Sequence, residues 1–500
     1  MILAEKLLSV LAITLWLISY CVYSVLAQSD KVSRPNVLWI IAEDLSPDLN
    51  CYGNTLVETL NLDALARRGI RFTNVFATAP VCSPSRTALA TGMYQTTIGA
   101  YHMRYLENLK PALPPGIKTI AQLSQEAGYL SANIRDDPGR GKTDWMFQAD
   151  VDQQFDTYHW KDIARNEQPF FAQLSTAMTH RSFEPATPGQ FPLDSISIPP
   201  YYPDHPVSRR DFADYYASIE RLDKEVGQIL ESLKKYDLDK NTIIFFFSDH
   251  GRPMTRGKNY HYDSGLMVPL IVSIPEGMDM PTGYELGTVS DKLLSTLDIT
   301  ATTLSLLGIN PPDDIQGRVF FGSNRDEPRK VVFSATNRIG ETNFRSRSLR
   351  TLRYRYSRHY HRDFSVNSSA TAYRKANHPI YHLLNILHEQ GQLTEAQQNL
   401  VTTIPYEELY DTQLDPFETK NLVENADYKV VLDSLRGVMN QWIEESGDQG
   451  LGTDSSAIEE AFATYGKESA ARYAEKIESL HQQVEQVVGE NSDIHNNENN

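Results

Sequence analysis

Three stretches of this 500-residue chain are almost unbroken apolar runs: Asn36 to Ala42 (NVLWIIA), Phe170 to Ala177 (FFAQLSTA) and Thr242 to Phe247 (TIIFFF). Runs of this length, rich in β-branched and aromatic residues, predict strands covered on both faces. Gly128 to Arg135 (GYLSANIR) predicts a fourth. Between the runs, apolar residues recur three and four apart. Thr59 to Gly69 places Leu62, Leu65 and Ala66 on one stripe and closes on Gly69, a helix-stop signal. Asp211 to Tyr236 does the same over a longer span, through Tyr215, Ile219, Leu222, Val226, Ile229 and Leu233. Leu293 to Gly308 predicts a further helix that closes this part of the chain.

Beyond residue 325 the pattern shortens. Val331 to Ser334, Ser348 to Tyr356 and Glu408 to Thr412 predict short strands around a helix over Ile380 to Glu389. That is the pattern of a smaller α+β subdomain. Ser456 to Val488 reads as a charged helix, with Tyr473, Ile477, Leu480, Val484 and Val487 on one side, docked on its own domain. Glu490 to Asn500 is expected to be a polar, disordered tail. At the other end, Lys6 followed by an apolar run from Leu7 to Ala27 predicts an export leader cleaved near Ala27, or an uncleaved anchor. The expected organisation is therefore a leader over 1–27, a large α/β domain over 33–325, a subdomain over 326–450, and a charged helix with its tail over 451–500.

Charge narrows the partners. A net charge of −17 argues against nucleic acid, because no excess of Lys and Arg neutralises phosphates. An anionic substrate remains open, since a local basic pocket can bind one.

The chemistry sits where the apolar runs stop. The first ends in Glu43-Asp44, the third in Ser248-Asp249-His250, and Phe170 to Ala177 leads to His180. Open α/β sheets place their ligands at the C-terminal ends of strands. Side chains of successive strand residues point to opposite faces, so Glu43 and Asp44 converge only if the chain turns, as Ser46-Pro47-Asp48 suggests. Each of these ends, alone, also fits a solvated strand terminus. Ala79 to Gly92 (APVCSPSRTALATG) adds a nucleophile. Ser83 is expected as the N-cap and Pro84 as the first residue of a helix, which puts Cys82 just before a helix N-terminus that favours an anion. Arg86, one turn on, is placed to grip two oxygens of a sulfate or phosphate.

The Cys-x-Pro-x-Arg…Thr-Gly motif at Cys82 resembles the modification motif of the type I sulfatases. The surrounding order extends the resemblance from about Pro35 to about Gly447. It includes Cys51-Tyr52-Gly53, Asn61-Leu62-Asp63 before Leu65-Ala66, Gly141-Lys142, Gly257-Lys258 with Tyr262 and Pro269, and Glu408-Leu409-Tyr410-Asp411 with Asp415-Pro416. The wording of Arg338 to Tyr356 and of Leu387 to Thr394 is similar to the N-sulfoglucosamine sulfohydrolase-like branch. The resemblance implies an alkaline-phosphatase-like α/β fold: a large mixed sheet sandwiched by helices, with a smaller C-terminal α+β subdomain. It implies that Cys82 becomes formylglycine through a maturation enzyme. With Cys82 so modified and Cys21 in the leader, Cys51 has no partner and no intrachain disulfide framework is expected. It further implies one divalent cation, Ca²⁺ or alternatively Mg²⁺, held by Glu43, Asp44, Cys82, Asp249 and His250. In the mechanism it implies, a hydroxyl of hydrated formylglycine attacks sulfur and the second hydroxyl expels sulfate. Arg86, Lys142 and Lys258 stabilise the sulfuryl oxygens, and His180 or Lys258 assists the leaving group. Asp144 stands where many members have a His, which puts one leaving-group contact in question.

The expected activity is hydrolysis of sulfate from a sulfated polysaccharide or glycosaminoglycan by an exported protein, periplasmic or secreted. A phosphonate or phosphate ester hydrolase of the same superfamily and an inactive glycan-binding relative are the alternatives. Residues outside the motifs, His102, Arg104 and His359, are expected to help choose the glycan; an alternating subdomain strand explains the Arg353 to His361 cluster equally well.

Overall fold

The computed structural model describes residues 34–498 apart from 105, 167, 277, 279–283 and 323. The expected leader lies outside the described residues. Among the described residues no helix is long and apolar enough to cross a membrane.

The three apolar runs become β1 (Asn36–Ala42), β4 (Phe170–Thr176) and β5 (Thr242–Ser248), and every residue in them is buried. β1 runs parallel between the other two. Ala42 pairs with both Thr176 and Ser248, so the three strands stop at one level. With β2 (Gly69–Phe76), β3 (Leu130–Asn133), β6 (Leu270–Ser273) and β7 (Thr288–Ser295) they form a seven-stranded sheet of order β3-β4-β1-β5-β6-β2-β7. The sheet is mixed because β6 is antiparallel to both β5 and β2.

Helices cover both faces. α1 (Leu60–Arg67) and the long α2 (Pro206–Lys235) lie on one, where Ile219, Leu222 and Val226 meet Leu38 and Ile40 of β1 in one core. α3 (Leu297–Leu306) lies on the other with Val37, Trp39 and Ile41. The Trp39 indole there donates to Thr303 Oγ1 at 2.9 Å.

A second sheet, β11-β10-β9-β8, is antiparallel throughout, built from β8 (Val332–Ile339), β9 (Thr342–Arg350), β10 (Tyr354–His359) and β11 (Glu407–Asp411). Helices α4 (Pro379–Glu389), α5 (Lys429–Glu445) and α6 (Ser456–Glu498) accompany it.

Several local expectations change. Leu293 to Ser295 belong to β7, and the helix begins only at Leu297. Ser348 to Tyr356 is two strands: Thr351 closes a turn, its N–H donating to the Tyr354 carbonyl at 2.9 Å and its hydroxyl accepting from the Tyr354 N–H at 2.8 Å. Gly69 opens β2 instead of closing α1, since a Cβ there would collide with the Val272 carbonyl of the neighbouring strand. The terminal segment expected to be disordered is helical through Glu498.

Candidate active site

The common level of β4, β1 and β5 brings their polar endings together. Asp44 follows β1 with φ of 56°, a left-handed turn that Asp tolerates better than most residues. That turn separates the two adjacent carboxylates. Asp44 enters the centre of the cluster, whereas Glu43 Oε2 accepts from Lys142 Nζ at 2.8 Å. Asp249 and His250 arrive from β5. Cys82 arrives as the first residue of the helix Cys82–Thr91, capped by the backbone of Val81 and not by Ser83. Ser83 is buried with no partner for its hydroxyl among the described residues.

One donor atom from each of Asp44, Cys82, Asp249 and His250 lies within 4.8 Å of the others. Cys82 Sγ is 3.3 Å from His250 Nε2 and 3.7 Å from Asp44 Oδ1. His250 Nδ1 faces the Gly251 carbonyl at 2.9 Å, which keeps a proton on Nδ1 in the neutral ring and aims Nε2 at the cluster. Two carboxylates and an imidazole nitrogen are the donor set of a divalent-cation centre. Among the described residues Glu43 is not part of this group.

Cations ring the cluster. Lys258 Nζ donates to both Asp44 oxygens, at 2.9 and 2.7 Å, and to Cys82 Sγ at 3.3 Å. It also lies 3.3 Å from His180 Nε2. Arg86 Nε donates to Asp249 Oδ2 at 2.9 Å, and Nη1 to Ser175 Oγ at 2.8 Å. Its Nη2 is buried without a partner among the described residues. Burial alone would raise the carboxyl pKa values, but the cations win: Arg86 and His250 bring Asp249 down to about 2, and Lys258, His180 and His250 hold Asp44 well below the usual carboxylate range. Burial opposes charge on His250, yet Asp249 and Asp44 lift it to about 10. The Cys82 thiol, despite its burial, is lowered to about 6 by Lys258 and Lys142.

The structure thus brings Cys82, Arg86, Lys142, His180, Lys258, Asp44, Asp249 and His250 to one sheet edge. Asp144, also left-handed at φ of 54°, sets Oδ2 3.7 Å from Lys142 Nζ. Arg104 is exposed and lines the pocket above Asp44, His180 and Lys258. His102 and His359 do not reach it. His102 is fully buried, its Nδ1 accepting from the Arg338 N–H at 3.2 Å and its Nε2 3.0 Å from Asp454. His359 is held between Ser346 Oγ at 2.8 Å and Glu408 at 2.9 Å. Arg355, from the same basic cluster, is buried against Asp263 and Glu418 and ties the second sheet to the segment between β5 and β6.

The sulfatase family pattern matches residues 35–309. The chain belongs to the sulfatase family. Such a protein is a sulfuric ester hydrolase. It is 32% identical over 475 residues to an ulvan-active sulfatase of Formosa agariphila, covering 85% of this chain and 77% of that one. It is 26% identical over 482 residues to human N-sulphoglucosamine sulphohydrolase, covering 86% and 94%. Among solved structures it resembles an enzyme captured with its substrate D-glucosamine-2-N,6-O-disulfate, with a TM-score of 0.57 and 19% identity over 83% of this chain and 99% of the other.

Sequence reasoning missed part of the pocket wall. Tyr373, Tyr465, Ser469, Arg472 and Tyr473 all line it. The last four recur at i, i+4, i+7 and i+8, a helical-face spacing that was readable but carried no motif.

Proposed function

We propose that this sulfatase removes sulfate from a sulfated carbohydrate, of polysaccharide or glycosaminoglycan type, with Cys82 matured to formylglycine by a partner enzyme and one divalent cation, Ca²⁺ in the first instance. The observation that carries this reading is the convergence of Cys82 with Asp44, Asp249 and His250 inside a ring of cations. The carbohydrate class rests on the relatives, which act on ulvan and on N-sulphoglucosamine.

The donor set fits a hard cation, which would be held by Asp44, Asp249 and His250 and would supply Lewis-acid polarisation of sulfate oxygen. Glu43, committed to Lys142, orients that lysine instead. Hydrated formylglycine would supply a nucleophile whose second hydroxyl permits release of sulfate. The chain's own residues do the rest. Arg86 is held by Asp249 and Ser175 while Nη2 has no partner among the described residues, and so keeps that NH2 group for a sulfuryl oxygen. Lys258 and His180, 3.3 Å apart, share the task of delivering a proton to the departing sugar oxygen. Export to the periplasm or medium completes the reading, with the apolar N-terminal run as leader.

The test is mass spectrometry of the Cys82 peptide after co-expression with a maturation enzyme, alongside turnover of defined sulfated saccharides. An aldehyde at position 82 together with sulfate release, both abolished in Cys82→Ala, is expected. Full activity from protein carrying only unmodified Cys82 would refute the mechanism.

A further inference from the structure

The active-site pocket encloses about 190 Å³. Its floor is Asp44, His180 and Lys258, and its opposite wall is the middle of α6 with the Met103-Arg104 segment. We propose that this wall is a subsite for a second acidic group of the saccharide, a carboxylate or a further sulfate ester, beside the ester that is cut. The orientation of the ligand rests on the sulfatase reading; the existence of the subsite does not.

Geometry comes first. α6 is held on either side of the pocket. Near its start, Asp454 accepts from Arg338 Nε at 2.8 Å and faces His102. Towards its end, Val484 and Val488 pack with Leu383, Ile386 and Leu387 of α4. Between these anchors Gly466 passes so close to the Glu341 side chain that a Cβ would come within 2.9 Å of it. The stretch from Tyr465 to Tyr473 is therefore a built wall, not a helix resting on the surface. Tyr473 meets Tyr373 edge-on with ring centroids 5.8 Å apart, and Tyr373 lies 6.4 Å from His180. A line of rings thus leads from the catalytic histidine to the helix, and such faces suit a sugar ring.

Polarity comes second. Ser469, His378 and Asn259 line this cavity and are 3%, 2% and 3% exposed, and Ser469 Oγ, His378 Nδ1 and Asn259 Oδ1 are buried with no hydrogen-bond partner among the described residues. Buried polar atoms without partners are costly, so a hydroxylated ligand that reached them on a small side-chain shift would gain their hydrogen bonds.

Charge comes third. Arg104 and Arg472 are exposed on the wall and engage no carboxylate among the described residues. Arg338, Arg347, Arg350 and Arg355 of the neighbouring sheet each have one. On a protein of net charge −17, two uncommitted guanidiniums at the mouth of the reactive pocket select for an anion. Guanidinium grips carboxylate and sulfate oxygens in the same forked manner, so both sources fit. The scissile group is already provided for by Lys258 on the floor and by Arg86 behind it, against Asp249.

The test is calorimetric binding to the Cys82→Ala protein, which cannot turn over. The probes are glucose 6-sulfate, glucose 3,6-disulfate and a 6-sulfated disaccharide bearing glucuronate. At least one doubly charged probe should bind tenfold or more tightly than glucose 6-sulfate; which one does so identifies the second group. Arg472→Ala or Arg104→Ala should cut that preference to threefold or less, and Arg472→Lys should keep most of it. No preference in the Cys82→Ala protein, or a full preference in the Arg104→Ala/Arg472→Ala pair, would overturn the proposal. Sulfate-ester turnover is measured separately on matured protein: its absence with the preference intact sinks the catalytic reading and leaves the subsite standing.

Discussion

Arg86 and Asp249 are each nearly inaccessible, and each is the other's main compensation. Removing one partner of a buried pair leaves an unpaired charge that costs about 3–5 kcal/mol. Arg86→Ala should therefore lower the thermal midpoint clearly and reduce turnover by about 10²-fold or more, since a preorganised donor to the sulfuryl oxygens is lost as well. Thermal denaturation and steady-state kinetics on one preparation check both. Arg86→Lys should rescue little, because a lysine cannot reach Asp249 and Ser175 together in the fork seen here. Asp249→Asn should abolish tight retention of the divalent cation, read by metal analysis after dialysis. Chelation of the unaltered protein should stop turnover, and a fully active metal-free preparation would refute the metal assignment. At this scale the sequence was informative wherever a strand end carried the group, as for Asp44, His180 and Asp249. It was silent on how Glu43 divides from Asp44, because that depends on one left-handed residue. It also could not show that His102 and His359 are internal hydrogen-bonding groups, because their partners, Asp454 and Glu408, are remote in the chain.

Glu225 on α2 is an unusual helix residue. It is buried, with Oε2 lacking a partner, and burial raises its pKa from 4.5 to about 7, Arg140 opposing and Asp137 assisting. Below pH 4.5 folded and unfolded chains both carry the proton. Between pH 4.5 and 7 the unfolded chain releases it and the folded chain keeps it, so stability falls as pH rises through this window. Glu225→Gln should remove that fall and gain about 1 kcal/mol at pH 8, a figure already reduced for solvent screening. Denaturant titrations from pH 4.5 to 8 measure it. Gly69→Ala, against the Val272 carbonyl, should cost about 1–3 kcal/mol by forcing β2 and β6 apart. Elements with one strong signal were legible: β1, β4 and β5 through continuous apolar runs, α2 through its stripe. The β9–β10 hairpin was not, because Thr351 makes its turn without Gly or Pro. β7 was hidden because its buried end, Leu293 to Ser295, merges with the apolar start of α3.

Across the whole molecule, the reactive groups hang from the first sheet, while the wall opposite them is carried by α6 and braced by β8, α4 and the loop at Glu341. Loosening the brace should be felt in the wall. Val484→Ala with Val488→Ala removes buried methyl groups from the α4 contact and should cost about 3 kcal/mol in all. Limited proteolysis should then cut within 456–490 before the central sheet, and uniform cleavage throughout the chain would argue against separate anchoring. The pocket consequently has two owners. Substitutions at Tyr465, Ser469, Arg472 or Tyr473 change what is admitted without touching Cys82, Asp249 or their cations, and distant sites combine with nearly additive effects. One helical face can thus vary in sequence, and with it the saccharides admitted, at little risk to the reactive groups on the far side of the pocket.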